Sequence, residues 1–448
     1  MKSLISAVLV CFGLTAFAQE KDSTLENLQH RVTELKEQTD GLSEQLLALT
    51  PVVDALKKIK ISGYIQSQYQ VGEGDGIGSL AGGNFAAGVH SRYQVRRGRV
   101  KVNYDNDLTQ YVLQIDVTPG GVAIKDAYAS LKEPWLRTFG LTAGVFDRPF
   151  GFEISYSSSN RESPERSRVF QTLFPGERDM GAKLEIAPPE TSPLSWFSFK
   201  GGFFTGMGPT AQENDNNKDF IGRAGFALQM QDAGLAIDGG VSMYLGKVRS
   251  NQRAIYRMDG SSKAFSFDSS ASNIGSYFDR NYIGADVQVY YELPVLGGMT
   301  LRGEYISGKQ PGTGGNSTTT NYSSFYNAAG TPLYQRDFSG FYVNYVQNVG
   351  LSDQFVLKYD VFTPNTEVSS GDIGAATPSG RIALTAGDLA FATLGIGWVH
   401  HWDSNVKFTF YYDMVTNEKV NANAPAALNA FKEDIKDNVL TVRVQYKF

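Results

Sequence analysis

The sequence predicts a transmembrane antiparallel β-barrel of about sixteen strands, preceded by an N-terminal α-helical coiled coil. Three observations lead to this fold class. After Lys60, apolar and polar residues alternate in many short segments; the connections between these segments alternate between short and long; and residues 25–56 carry a heptad repeat. Hydrophobic residues make up only 42% of the 448-residue chain, as expected when only every second strand residue faces lipid.

The first eighteen residues have the pattern of an export signal. Lys2 is followed by an apolar run over residues 4–14 and then by Ala16-Phe17-Ala18, which match the basic region, the apolar region and the cleavage site of a secretory signal. The run is too short for a membrane anchor. We therefore expect residues 1–18 to be cleaved, which also removes Cys11, the only cysteine of the chain.

Residues 19–59 are predicted to form a periplasmic coiled coil, because their apolar positions follow alternating steps of three and four residues. These positions are Leu25, Leu28, Val32, Leu35, Thr39, Leu42, Leu46, Leu49, Val53 and Leu56. Gly41 weakens the helix, and Pro51 should kink or end it. A single amphipathic helix lying on the barrel or the membrane is the alternative. A coiled coil requires partner chains, and the pattern does not choose between a dimer and a trimer.

Residues 60–448 are predicted to form the barrel, because they contain sixteen segments with the two-residue period of a half-buried strand. The predicted strands are 61–70, 92–104, 110–118, 121–133, 138–147, 179–187, 195–206, 218–230, 233–246, 279–293, 298–308, 336–349, 353–363, 388–401, 404–416 and 437–448. Most have the ~9–11 residues that a tilted strand needs to cross the hydrocarbon layer.

The connections alternate between long and short, which is typical of outer-membrane barrels with long external loops and short periplasmic turns. The long ones are 71–91, 148–178, 207–217, 247–278, 309–335, 364–387 and 417–436, and the tight Pro119-Gly120 connection is the exception. With an even number of strands, the N-terminal helix and Phe448 both lie in the periplasm. The sequence thus indicates the outer membrane of a Gram-negative bacterium, with lipid around the barrel.

Aromatic residues near the strand ends favour this membrane barrel over a soluble β-sandwich or propeller. A soluble sheet buries its apolar face and has no need of aromatic residues around its outside. The residues in question are Tyr69, Tyr104, Tyr291, Tyr305, Tyr446 and Phe448.

The strand faces opposite the apolar ones should line the pore. The predicted basic residues on those faces are Arg97, Arg99, Lys101, Lys183, Lys200, Arg223, Arg302, Lys358, Lys407, Arg443 and Lys447; the acidic ones are Asp116, Asp126, Glu185, Asp238, Asp286, Glu304, Asp360 and Asp413. Eleven basic against eight acidic residues favour a weak preference for anions.

Arg97, Arg99 and Lys101 alternate on one strand and should form a short basic ladder, or else pair with acids on adjacent strands. Arg92 and Arg96 have the opposite parity. The sequence leaves open whether these two lie above the membrane or at a subunit contact.

The 31-residue connection 148–178 is the candidate constriction loop, because long loops are usually functional or disordered and a loop of a wide barrel can fold inward. Its charged residues are Arg148, Glu153, Arg161, Glu162, Glu165, Arg166, Arg168, Glu177 and Arg178. An external, solvated loop is the alternative.

The chain resembles the phosphate-selective porin O and P family over most of residues 61–448. The similar motifs are Arg96-Arg97-Gly98-Arg99, Lys125–Tyr128, residues 144–153 (GVFDRPFGFE), Ser157–Ser159, Glu165–Ser167, Arg178–Gly181 and the terminal Phe448. The resemblance implies a trimer of sixteen-stranded barrels whose third external loop, here 148–178, folds into each pore. It also implies that Phe448 helps the insertion machinery to recognise the last strand. Some family members select anions or phosphate, but only the part of their basic cluster at Arg97, Arg99 and Lys101 is present.

The predicted function is passive diffusion of small hydrophilic solutes, anionic or neutral, with a mild preference for anions that could include phosphate. A structural role, tethering the outer membrane to the cell wall, is the alternative. We expect no enzyme, since none of the four His lies beside a Ser and an Asp on a shared strand face. No metal or nucleotide motif is present, so no cofactor is expected, and the net charge of −5 argues against nucleic acid as a partner.

Overall fold

A computed structural model describes residues 2–213, 215–315 and 332–448, with the backbone alone for residues 2–25. The chain divides into two units, residues 1–60 and 61–448. The first unit is one helix, α1 (Lys2–Lys57), which continues through Pro51. The apolar heptad positions described from Leu28 onward are 44–70% exposed in the single chain. None of the described helices combines the length and the hydropathy that crossing a membrane requires.

The regular secondary structure of the second unit consists mainly of antiparallel strands. Their bounds are β1 (Ile59–Gly72), β2 (Ser91–Asn106), β3 (Thr109–Thr118), β4 (Gly121–Lys132), β5 (Phe139–Asp147), β6 (Arg178–Ile186), β7 (Phe197–Phe204), β8 (Asp219–Met230), β9 (Leu235–Arg249), β10 (Ile255–Asp259), β11 (Ala264–Asp268), β12 (Tyr277–Leu293), β13 (Gly297–Gly312), β14 (Leu333–Val349), β15 (Asp353–Thr363), β16 (Phe391–His401), β17 (Val406–Asn417) and β18 (Val439–Lys447).

Sixteen of these strands, β1–β9 and β12–β18, form one closed barrel. Each pairs with its neighbours along the chain, and β18 pairs with β1 from Tyr64↔Lys447 to Gly72↔Val439. The predicted antiparallel barrel, its number of strands and the helix before it are therefore confirmed, whereas the pairing of that helix in a coiled coil stays a prediction. Closure gives every strand two hydrogen-bonded neighbours, so no sheet edge remains exposed.

The connection between β9 and β12 differs from the predicted plain loop, because it contains the β10–β11 hairpin. Residues Ile255–Arg257 of β10 pair in parallel with Leu333–Gln335 at the start of β14. The hairpin and neighbouring loops enclose a second apolar core at this end of the barrel, which includes Phe265, Tyr334, Leu389, Phe391, Leu428 and Phe431. Most of the connection predicted at 309–335 lies outside the described residues.

The two faces of the strands follow the predicted alternation. In β18, Leu440, Val444 and Tyr446 are 39–50% exposed on the outer face, whereas Arg443 and Gln445 are each 3% exposed on the inner face. The barrel therefore presents apolar side chains to its surroundings and polar ones to its interior, at least in this part of the wall.

Phe448 follows the last strand and closes the barrel seam through its backbone. Its N–H donates to the Gly63 carbonyl at 3.0 Å, and its own carbonyl accepts from the Gly63 N–H at 3.1 Å. The Phe448 side chain is 55% exposed. The role in assembly that the sequence suggests for this side chain remains a prediction.

Deleting Phe448 should lower the amount of barrel in the membrane, while the molecules that do insert conduct normally. The deletion removes the last seam contact and the exposed aromatic ring, but nothing inside the barrel. Quantitative immunoblots of membrane fractions, with single-channel conductance, measure the two effects. Gly303→Ala is a matched control, since its added Cβ lies 3.6 Å from the nearest neighbouring atom, the Tyr342 carbonyl oxygen. Normal membrane levels after the deletion would contradict the assembly role.

Candidate functional site

Residues 148–177, here called the inner loop, connect β5 to β6 and are packed against the interior side of the wall. The Tyr64 hydroxyl on β1 lies 2.6 Å from Ser158 Oγ, and the Gly151 N–H donates to Ser242 Oγ on β9 at 2.9 Å. On β17, Lys407 Nζ donates to the Ser159 carbonyl at 2.9 Å. The loop therefore reaches strands far apart in the wall and crosses the interior.

One side of the inner loop is apolar and fills part of the barrel. The loop ends in a short helix, α2 (Arg168–Leu173). The side chains of this core are buried and come from both the loop and the wall. They include Phe150, Ile154, Val169, Phe170, Leu173 and Phe174 from the loop, and Phe146, Phe204, Tyr244, Tyr282, Phe338 and Tyr342 from the wall. Burial of these rings holds the loop against β7–β9 and β12–β15.

The root of the loop is held by Glu304 on β13. One of its carboxylate oxygens accepts from the backbone N–H groups of Phe152 (3.3 Å) and Glu153 (3.1 Å). Gly151 has a φ of +60°, and a Cβ at this position would overlap the same carboxylate. Glycine is therefore needed here both for the left-handed backbone and for the close approach.

Glu153 ties the two ends of the inner loop to β15. Its carboxylate lies 2.7 Å from Lys358 Nζ and accepts from the Ser167 N–H at 3.0 and 3.1 Å. Burial opposes the charged form of Glu153, but Lys358 and the hydroxyl of Ser167 outweigh it, so its pKa is lowered. Both members of the ion pair are buried.

Glu162 makes a second buried contact with the wall. Its carboxylate accepts from Arg302 on β13 at 2.8 Å and from the Tyr156 hydroxyl at 3.1 Å. The Arg302 guanidinium also lies 4.7 Å from the centre of the Tyr156 ring. Arg302, predicted from the sequence to line the pore, thus holds the loop in place.

Glu165 lies at the centre of an arginine cluster. Its carboxylate accepts two hydrogen bonds from Arg96 (2.9 and 3.1 Å), two from Arg97 (3.2 and 2.6 Å) and one from Arg443 (3.0 Å), while Arg161 lies 4.0 Å away. Burial disfavours the charged carboxylate, but these guanidinium groups outweigh that effect and hold the pKa of Glu165 well below its usual value of 4.5. Its stabilising contribution is therefore present above pH 4.5 and is lost only as the pH falls through the lowered pKa.

The remaining charged residues of the loop are also engaged. Arg148 pairs with Asp179 at 3.2 Å, both fully buried, and Arg161 donates to the carbonyls of Ser163 and Pro164. The Arg168 guanidinium lies 4.2 Å from the centre of the Phe391 ring.

Arg166 bridges parts of the loop itself. It donates to the Glu153, Ile154 and Tyr156 carbonyls and pairs with Glu177. Burial opposes ionisation of Glu177, but Arg166, Lys125 and Arg178 outweigh it and hold its pKa well below 4.5. Arg178, predicted as the last loop residue, is the first residue of β6 and pairs with Asp126 at 2.9 Å.

Most of the predicted basic wall residues are paired as well. Arg99 lies 3.1 Å from Asp116 and Arg223 lies 2.5 Å from Asp286, while Lys183 (3.8 Å) and Lys200 (3.2 Å) share Glu185. Lys101 differs: among the described residues, its side chain has no hydrogen bond or ion pair. The ladder predicted at Arg97, Arg99 and Lys101 thus consists of two neutralised arginines and one free lysine.

Arg92 and Arg96, whose parity pointed away from the interior, reach it. Arg92 donates to Gln70 Oε1 at 2.8 and 3.0 Å, and Gln70 is fully buried. The consecutive residues Arg96 and Arg97 both bind Glu165, and Tyr93, which strict alternation places on the same face as Arg97, is 86% exposed. The sequence analysis assumed strict alternation along this strand, and it therefore assigned Arg92 and Arg96 to the wrong face.

Two cavities lie on the charged side of the inner loop. The larger, of about 350 Å³, is lined by five basic residues, Arg99, Lys101, Arg166, Arg178 and Lys447, against two acidic ones, Asp126 and Asp147. The other, of about 310 Å³, is lined by five basic residues against three acidic ones. Arg99 and Arg166 line both cavities, so these two guanidinium groups mark where the cavities adjoin.

The sequence analysis did not predict the apolar core inside the barrel. It also did not predict which carboxylates pair with the arginines of the wall. A signal for the first was present: residues 243–245 and 341–343 are each apolar at three consecutive positions, which indicates strands with apolar side chains on both faces. In the part of the chain that the structure describes, no group of three or more His, Cys, Asp or Glu side chains is arranged to hold a metal ion.

Comparison with solved structures gives several similar barrels. The anion-selective porin from Comamonas acidovorans has a TM-score of 0.52 and 12% identity, covering 87% of this chain and 99% of that one. OprB of Pseudomonas putida has a TM-score of 0.54 and 10% identity, with 91% and 97% covered. The outer membrane channel DcaP of Acinetobacter baumannii has a TM-score of 0.50 and 11% identity, with 87% and 97% covered.

At these identities the similarity establishes the fold, which is the closed sixteen-stranded barrel of porins. No protein-family model matches the chain, and no curated protein matches its sequence.

Replacing Glu153 by Gln should loosen the inner loop, because it leaves Lys358 buried without its counter-charge. Breaking a buried pair in this way costs ~3–5 kcal/mol. Thermal unfolding in detergent micelles and protease sensitivity of residues 148–177 measure the effect. Glu213→Gln, which breaks the exposed pair with Lys218, is the control and should change stability by less than about 1 kcal/mol. Equal melting temperatures for both variants would show that the pair does not hold the loop.

Proposed function

We propose that the protein is an outer-membrane channel for passive diffusion of small hydrophilic solutes, with a mild preference for anions. One observation carries the proposal: inside a closed barrel, two adjoining cavities lie beside the inner loop, each with more basic than acidic lining residues. Water-filled space of this kind admits ions, and an excess of fixed positive charge favours anions among them.

The outer surface of the barrel supports a membrane setting. Apolar and aromatic side chains on the outer strand faces are exposed, among them Val444 (39%), Tyr305 (50%) and Tyr446 (50%). Exposed apolar surface on this scale is unfavourable in water and favourable in lipid. In the proposed orientation the short turns and both chain ends lie in the periplasm, and the long loops lie outside.

The proposed anion preference is weak because most positive charges are neutralised. Arg97, Arg302 and Arg443 pair with carboxylates of the inner loop, and Arg99 pairs with Asp116. The free Lys101 and the excess of basic residues around the cavities supply the positive electrostatic potential that remains. Phosphate is one candidate anion, in keeping with the family resemblance.

The functional unit is proposed to be a homotrimer, formed after cleavage behind Ala18. The apolar seam of α1 is exposed in the single chain, from Leu28 (56%) to Leu56 (61%). Burying such a seam requires partner helices. The resemblance to trimeric porins favours three chains.

Replacing Lys101 by Glu should shift the selectivity of the channel toward cations. The change converts the one unpaired cation of the ladder into an anion at the wall of the larger cavity. The reversal potential in a KCl gradient across a planar bilayer measures the shift, and single-channel conductance should change far less.

Lys247→Glu is the matched control, because this side chain lies on the exposed outer face of β9. It should leave the reversal potential where it is. A reversal potential equally unmoved by Lys101→Glu would remove the support for the anion preference.

Deleting residues 20–58 should lower the thermal stability of the oligomer while leaving a folded barrel, since the seam is one contact between subunits and lies outside the sheet. The oligomer-to-monomer transition on semi-native gels measures this. The paired change of Leu35 and Leu42 to Asn should act in the same direction, whereas Lys36 and Glu44 changed to Asn, off the seam, should not. Failure of the deletion variant to insert would instead make the helix part of the barrel's folding unit.

A further inference from the structure

The arginine cluster around Glu165 has the composition of a site for an oxyanion. Arg96, Arg97 and Arg443 come from the barrel wall, and all direct guanidinium N–H groups at one point. Guanidinium groups bind carboxylates and phosphates through pairs of parallel hydrogen bonds. In this structure the position is taken by the carboxylate of the chain's own inner loop.

The backbone that carries Glu165 is fixed. The Ser163 hydroxyl donates to the Glu165 carbonyl at 3.0 Å, and Arg443 donates to the Pro164 carbonyl at 2.8 Å. The carboxylate, by contrast, is at the end of a side chain with three rotatable bonds. It can leave the cluster by rotation while the loop stays in place.

The cluster is also open to solutes. Arg96, Arg97 and Glu165 line the cavity of about 310 Å³, and the Arg96 side chain is 29% exposed. A small anion in that cavity therefore reaches two of the three guanidinium groups that hold Glu165, those of Arg96 and Arg97.

We propose that Glu165 is a tethered competitor for an oxyanion site formed by Arg96, Arg97 and Arg443, so that anionic solutes bind there only by displacing it. The ligand class is small oxyanions, phosphate or carboxylate. This inference rests on the proposed channel function and adds its regulation. A channel must hold its ions weakly enough to release them, and a carboxylate that occupies the strongest cation cluster prevents anions from being trapped.

Glu165→Gln tests the inference, because it keeps the side chain's size and removes its charge. Isothermal titration of inorganic phosphate into the full-length protein in detergent, at constant ionic strength, should show binding at least about tenfold tighter in this variant than in the unchanged protein. In bilayers, phosphate should then reduce the chloride current of the variant at lower concentrations.

Glu162→Gln is the matched control: it removes the same charge from the same loop, but Glu162 meets a single guanidinium, Arg302. It should bring no comparable gain in phosphate affinity. Adding Arg97→Gln to Glu165→Gln should cancel the gain. Glu165→Asp, which draws the carboxylate back by one methylene and is the milder change for folding, should give an intermediate affinity.

Two results would overturn the inference: no gain in phosphate affinity in either Glu165 variant, or an equal gain in Glu162→Gln. The titration measures binding and needs no ion flow. It therefore tests the competitor role of Glu165 even if the unchanged protein fails to conduct. Absence of conductance would refute the channel proposal alone, whereas conductance without a gain in affinity would refute the competitor role alone.

Discussion

Neutralisation of charge inside the barrel is the constraint on which the rest of the interior depends. A carboxylate that is buried without a counter-charge destabilises the fold by several kcal/mol. The carboxylates that the inner loop brings into the barrel therefore each meet a cation. Glu153 does so at Lys358 on β15, Glu162 at Arg302 on β13, and Glu165 at Arg443 on β18 and at Arg96 and Arg97 on β2. Contacts with these four strands fix the loop in position and neutralise its charge.

The apolar side of the inner loop then determines where cavities remain inside the barrel. Its aromatic core occupies the interior near β7–β9 and β12–β15, whereas the two cavities with charged linings lie mainly along β1–β6. Hydrophobic packing and ion pairing act on the same segment. Together they place these cavities off-centre in the barrel, beside a limited part of the wall.

The sequence predicted the parts of the structure that depend on local pattern. The two-residue period predicted all sixteen barrel strands. The length and charge of residues 148–178 identified the segment that fills part of the interior. The ion pairs between the loop and the wall could not be predicted from the sequence, because they depend on which strands the loop crosses. The contact between Glu153 and Lys358 joins residues 205 positions apart, and no local pattern carries that information. The contacts of Arg92 with Gln70 and of Arg96 with Glu165 likewise bring to the interior two residues that strict alternation assigns to the other face.

These pairings change what a count of interior charges means. Eleven basic against eight acidic wall residues suggested a small positive excess, but the inner loop brings its own carboxylates to the same arginines. An arginine whose guanidinium is bound to a carboxylate contributes a dipole to the passage in place of a full charge, and the field of a dipole falls off faster with distance. In the proposed channel, selectivity would depend on the cations left over after the loop is docked, and Lys101 is one of them. The arginine-rich segment 96–99, the most prominent basic feature of the sequence, is then engaged first by the inner loop, through the contacts of Arg96 and Arg97 with Glu165.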